Sequence, residues 1–236
     1  MEHMQTYQEK GDTWPKVLKY NYEKYGDRRT AMRYKQYGIW QTYSWKDYYI
    51  NVKYLALALL SFGLQPEDKL LIIGDNAPEW YYAELAVQSV HGISVGMYSD
   101  LTPAEIQYIA ENSEARFAVV QDQEQVDKFL QIKDNLPLLQ KVIYWEYKGL
   151  SNYDEPLLTK FKDAIQLGLT YEEEHPGIFE QNIESGKADD ICALIYTSGT
   201  TGTAPKGAVH SYRTIRPGAE YHLNLDPLHE DDNMVS

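Results

Sequence analysis

From residue 69 onward the sequence switches repeatedly between two hydrophobic patterns, and that switching constrains the fold more than any other feature. Short, mostly apolar runs at 69–73, 93–97, 116–121 and 141–145 read as strands. Between them, 77–90, 103–111 and 123–133 have apolar residues at helical spacing. A strand, a helix of about ten or more residues and another strand make a right-handed crossover, so mainly parallel sheets flanked by helices are expected. The fold class is α/β.

Local punctuation agrees with this pattern. Thr102-Pro103-Ala104-Glu105 combines an N-cap, a proline at the first helical position and a reciprocal glutamate. Ahead of the alternating region, Thr13 and Pro15 open a helix over 13–25 that Gly26 ends. Runs at 30–35 and 39–43 read as a hairpin turning at Tyr37-Gly38. Ser44 with Asp47 then caps a helix that continues through Tyr48, Val52, Leu55 and Leu59 to Gly63. Residues 148–186 read as a mostly helical, polar excursion between two strand-bearing regions, with a subdomain boundary near Gly186.

The chain's 236 residues suffice for one to two domains, and composition narrows what it can do. With 22 Lys and Arg against 35 Asp and Glu, the net charge of -13 argues against a general affinity for nucleic acid or an anionic membrane. Residues 111–190 hold 17 acidic and 8 basic side chains, so most of that charge sits in one stretch. The run Glu172-Glu173-Glu174 reads as a solvated helix face, since adjacent helical residues point apart and cannot share a metal. A single cysteine, Cys192, rules out an internal disulfide and suits a reducing, cytoplasmic compartment; within an apolar strand it reads as a buried structural thiol. The N-terminus lacks a basic region followed by an apolar one, and the longest aliphatic run is Leu55 to Leu60, so neither a signal peptide nor a membrane span is expected. His210 reads as a packing or surface histidine, and His222 and His229 lack the carboxylates of a zinc site, so no transition metal is assigned. Ten of the 21 tyrosines lie in the first 60 residues and read as half-buried packing surface.

Chemistry concentrates where the apolar strand 191–196 runs into Thr197-Ser198-Gly199-Thr200-Thr201-Gly202-Thr203-Ala204-Pro205-Lys206-Gly207. Five hydroxyls, three glycines and one lysine fall within these eleven residues. Glycines let the backbone approach an anion closely, hydroxyls add donors that rotate to suit phosphate oxygens or turn a lone pair toward Mg²⁺, and Lys206 adds a positive charge. A polyphosphate suits such a loop best. It is not a Walker A loop, because Lys206 is followed by Gly207 and Ala208 rather than by Ser or Thr.

Residues 196–207 resemble the signature Thr-Ser-Gly-Thr-Thr-Gly-x-Pro-Lys-Gly of the adenylate-forming (AMP-binding) superfamily. Upstream, Gly74-Asp75-Asn76-Ala77-Pro78-Glu79-Trp80, His91-Gly92-Ile93-Ser94-Val95-Gly96-Met97-Tyr98, Leu101-Thr102-Pro103 and Asn112-Ser113-Glu114-Ala115 are similar, in order and spacing, to the N-terminal region of bacterial long-chain fatty acyl-CoA synthetases. The resemblance implies an AMP-forming acid-thiol ligase: a carboxylate attacks the α-phosphorus of ATP to give an acyl-adenylate, and the thiol of coenzyme A then displaces AMP. It places Thr197, Ser198, Gly199, Thr200, Thr201, Gly202 and Lys206 along the phosphates, with Thr200 on magnesium and none of them a nucleophile.

Two departures qualify what the resemblance implies. Thr203 and Ala204 both stand between Gly202 and Pro205, where the family usually has one residue, which displaces Lys206 by one position. The family's later adenine, ribose and second-step motifs do not occur within these residues, so the chain reads as a partial adenylation domain without its C-terminal domain, inactive alone. Its partners would be a fatty or other carboxylic acid, ATP and CoA, with no nucleic acid. A complementing chain and a peripheral membrane association of the complete enzyme stay open. An aryl or amino-acid adenylating enzyme, or a non-catalytic nucleotide-binding or split-enzyme module, are the alternatives.

Overall fold

A computed structural model of the chain describes residues 11–197, 205–225 and 232–234. The amino-terminal part comprises helix α1 (Trp14–Tyr25), the antiparallel hairpin β1 (Thr30–Gln36) and β2 (Ile39–Ser44), and helix α2 (Trp45–Ser61). Thr13 caps α1 through the Lys16 N–H, and Ser44 and Asp47 form a reciprocal capping box on α2, as the sequence pattern predicts. Tyr37 and Gly38, at φ of 49° and 81°, make the tight turn whose twist matches that of the two strands.

The alternating region follows as β3 (Lys69–Ile73), α3 (Pro78–Ser89), β4 (Ile93–Met97), α4 (Pro103–Ser113), β5 (Phe117–Val120), α5 (Gln123–Ile132) and β6 (Lys141–Tyr144). Next come β7 (Leu158–Lys160), α6 (Phe161–Glu174), α7 (Ile178–Ser185), β8 (Ile191–Thr197), β9 (Lys206–Ser211) and α8 (Tyr212–Leu225). Seven strands form one sheet in the order β7-β6-β5-β3-β4-β8-β9, parallel throughout except for the antiparallel pair β8–β9. From β4 to β7 this is the doubly wound order 2-1-3-4-5, extended past β4 by β8 and β9.

The pleat explains the mostly apolar runs. Leu70, Ile72, Phe117, Val119 and Ile143 point into a core shared with α1, α2, α3, α6 and α7, while Leu71, Ile73, Ala118, Val120 and Val142 point to the opposite face, under α4 and α5. The α4 box of Thr102 and Glu105 closes as the sequence predicts, but α4 runs two residues further, to Ser113, and ends where Glu114 takes a left-handed φ of 56°.

Two expectations are corrected. Residues 148–186 are no excursion: β7 joins the sheet, and α6 and α7 bury Phe161, Ala164, Phe179 and Ile183 in the first core. Gly168 of α6 lies against the Tyr54 carbonyl so closely that a Cβ would stand 1.9 Å from its oxygen. Glu172 is not part of a solvated face, since it pairs with Lys53, which also holds Glu180 at 2.8 Å. Tyr49 Oη donates to the same Glu180 carboxylate at 3.2 Å, so one partly buried charge network ties α2 to α6 and α7. Glu173 and Glu174 are exposed.

Candidate functional site

The phosphate-loop sequence lies across the turn between β8 and β9. Thr197 stands directly opposite Lys206 in the antiparallel ladder, so these two residues, at the ends of the sequence-predicted set, are brought together. Directly paired residues share a sheet face, and both side chains are exposed. The candidates Ser198, Gly199, Thr200, Thr201 and Gly202 lie outside the described residues. The extra residue ahead of Pro205 therefore leaves Lys206 in register with the end of β8.

Helix α4 supports both sides of this turn. Tyr196 Oη donates to Asn112 Oδ1 at 2.6 Å, and Tyr108 Oη donates to the Pro205 carbonyl at 3.0 Å. Gly207 packs closely beside Tyr196: a Cβ there would lie 3.0 Å from the phenol ring, which would have to shift by a few tenths of an ångström. Glycine at this motif position thus serves packing across the hairpin. Sequence reasoning missed Tyr108, Asn112 and Tyr196 as supports, since the two bonds join residues 97 and 84 positions apart.

At the carboxyl ends of β3, β4 and β8 opens a cleft of about 650 Å³, lined by Gly74, Asp75, Asn76, Trp80, Glu84, Tyr98, Ser99 and Tyr196 among others. Ligand crevices of doubly wound sheets form at this end of the strands. Gln121, following β5, accepts the Asp75 N–H at 2.7 Å and so fixes the segment after β3. The Trp80 ring lies over Gly96, with 3.1 Å to the position a Cβ would take. Ser94 Oγ donates to the Cys192 carbonyl at 3.1 Å, and Gln88 Nε2 donates to that carbonyl at 3.4 Å, which locks β8 against β4 and α3.

Two titratable groups sit at this cleft, Glu84 in its lining and Cys192 next to the lining residue Ala193. Glu84 has no hydrogen bond or ion pair among the described residues, and burial pushes its carboxyl up to about 7. Cys192 is 1 % exposed, and burial, with the Glu84 charge second, pushes its thiol up to about 12. A thiol held there is no nucleophile at neutral pH, in keeping with the structural role read from the sequence. His210 is partly buried, and its Nδ1 finds no partner among the described residues.

Comparison with known proteins bears on this geometry. The model of the AMP-binding enzyme family matches residues 18–236. A long-chain-fatty-acid–CoA ligase of Xenopus laevis is 36% identical over 192 residues, covering 81% of this chain and 25% of that protein. A long-chain-fatty-acid–CoA ligase of Bos taurus is 34% identical, with coverage of 84% and 26%. The chain thus spans about a quarter of the length of these curated relatives. Among solved structures, a putative long-chain-fatty-acid CoA ligase from Rhodopseudomonas palustris superposes with a TM-score of 0.73 at 20% identity, covering 93% of this chain and 49% of that one. An anthranilate CoA ligase in complex with anthranoyl-AMP gives a TM-score of 0.73 at 23% identity, with coverage of 89% and 37%. These superpositions bear out the α/β fold with its mainly parallel sheet, and the match along residues 18–236 shows that the chain belongs to the AMP-binding enzyme family.

Proposed function

We propose that this chain supplies the phosphate-binding hairpin of an ATP-dependent acyl-CoA synthetase, which activates a long-chain fatty acid as its adenylate and passes the acyl group to coenzyme A. The observation that carries the reading is the pairing of Thr197 with Lys206, which closes the hydroxyl- and glycine-rich turn at the carboxyl end of β8, beside the cleft. Fatty-acid preference draws its support from the names of the curated relatives.

In this reading the chain's residues bind and orient. The turn's amides and hydroxyls receive the β- and γ-phosphates, and Lys206 faces the charge that builds on the departing pyrophosphate. Hydroxyl oxygens are hard donors suited to Mg²⁺, and Thr200 would hold it. When bound, that ion neutralises phosphate charge. Tyr108 and Asn112 keep the base of the turn in place, and no side chain of the set attacks the substrate.

Calorimetric titration of the chain with magnesium-ATP tests this. Thr200→Ala and Lys206→Ala should each weaken binding by about tenfold, the loss of one charge-assisted contact. Unchanged affinity in both variants overturns the assignment.

A further inference from the structure

The amino-terminal hairpin has an outward side that the nucleotide reading does not use. Tyr37 is 94% exposed, Ile39 65% and Trp40 63%, so three large side chains stand at one hairpin tip in water. The register places Lys35 opposite Trp40 and Arg33 opposite Thr42, which puts Arg33, Lys35 and Trp40 on one face of the ribbon. The Lys35 ammonium lies 5.8 Å from the centre of the Trp40 ring. On the other face, Met32 and Tyr34 pack against the core, and the acidic groups behind the hairpin lie on that inner side: Tyr34 feels Glu146, Glu79 and Asp75, and Tyr43 feels Glu79 and Asp47. The outer face is therefore the basic one.

Charge around the hairpin is opposite to that of the molecule. Residues 24–46 contain Lys24, Arg28, Arg29, Arg33, Lys35 and Lys46 against one carboxylate, Asp27, in a chain of net charge -13. Asp27 is itself engaged by Lys46 at 2.9 Å. Exposed Trp and Tyr beside Lys and Arg match the headgroup zone of a bilayer, where amphipathic rings sit at the interface and cations meet anionic lipid. We infer that the tip Tyr37-Gly38-Ile39-Trp40, with Arg33 and Lys35 on its outer face, docks the protein on an anionic lipid surface. A protein rich in carboxylates is otherwise repelled by such a surface, so the patch also orients it, hairpin first. The inference stands independently of the nucleotide reading.

Co-sedimentation of the chain with vesicles tests it, using phosphatidylcholine alone and phosphatidylcholine with about 30% phosphatidylserine. Binding is expected to the anionic vesicles only, and to fall steeply between about 0.05 and 0.5 M salt. Each cation near such a surface contributes about fivefold to partitioning, so Arg33→Gln with Lys35→Gln should cut binding about 20-fold or more. Trp40→Ser, a change at an exposed position, should cut it at least fivefold, while Lys141→Gln with Lys162→Gln should leave it unchanged. No binding to anionic vesicles, equal binding by the hairpin and control variants, or a dimer in sedimentation equilibrium that Trp40→Ser dissolves would each overturn the inference.

Discussion

Glu84 is a carboxylate that folding moves from water to the boundary between the cleft and a smaller pocket of about 280 Å³ lined by Trp14, Trp45 and Tyr48. Burial raises its pKa from 4.5 to about 7, so the folded state binds the proton more tightly than the unfolded one. Between those two values the native protein carries the extra proton, and stability falls as pH rises, levelling off above about 7. Glu84→Gln should remove that slope and stabilise the protein at neutral pH by up to about 3 kcal/mol. Urea unfolding of both proteins at several pH values measures it, and a parallel pH dependence in the variant would show that another group is responsible. None of this is legible in the sequence, where Glu84 is one acidic residue on a helix; its desolvation comes from residues of α1, α2 and β8. Cys192 differs, because its place inside an apolar strand already implies the burial observed.

Elements whose ends carry their own chemistry were read closely from sequence. The caps at Thr13, Ser44 and Thr102 satisfy free helix N–H groups with side chains three residues away, so local order suffices to find them. The support of the β8–β9 turn by α4 is different, since it joins segments about 90 residues apart. Asn112→Leu removes the acceptor for Tyr196, and Tyr108→Phe removes the donor to Pro205, freeing both sides of the turn. The double variant should keep its helical circular dichroism while its magnesium-ATP affinity falls by about tenfold, the worth of one to two hydrogen bonds. Affinity at the unaltered level would mean that α4 plays no part in positioning the turn. Glu172 shows the same limit of local reading: helix periodicity places it beside two exposed glutamates, but packing against α2 turns it to Lys53.

For the whole molecule, the 236-residue chain covers about a quarter of the curated relatives it matches, and turnover is expected to need what lies in the remainder. The purified chain should bind magnesium-ATP yet release no acyl-CoA when given fatty acid, ATP and CoA; acyl-CoA in that assay overturns the expectation. Val209 of β9, the edge strand of the sheet among the described residues, is 59% exposed, so that edge carries apolar surface that invites pairing with another strand. The sequence by itself determined the α/β class, the strand and helix alternation, most helix starts and the family, because periodicity, capping and the motif at 196–207 are properties of neighbouring residues. Only the tertiary structure decided that β7 completes the sheet, that β9 returns antiparallel to set Lys206 opposite Thr197, and that a basic aromatic hairpin faces outward from an acidic protein. Those outcomes depend on which distant surfaces exclude water from one another, and no local period encodes that choice.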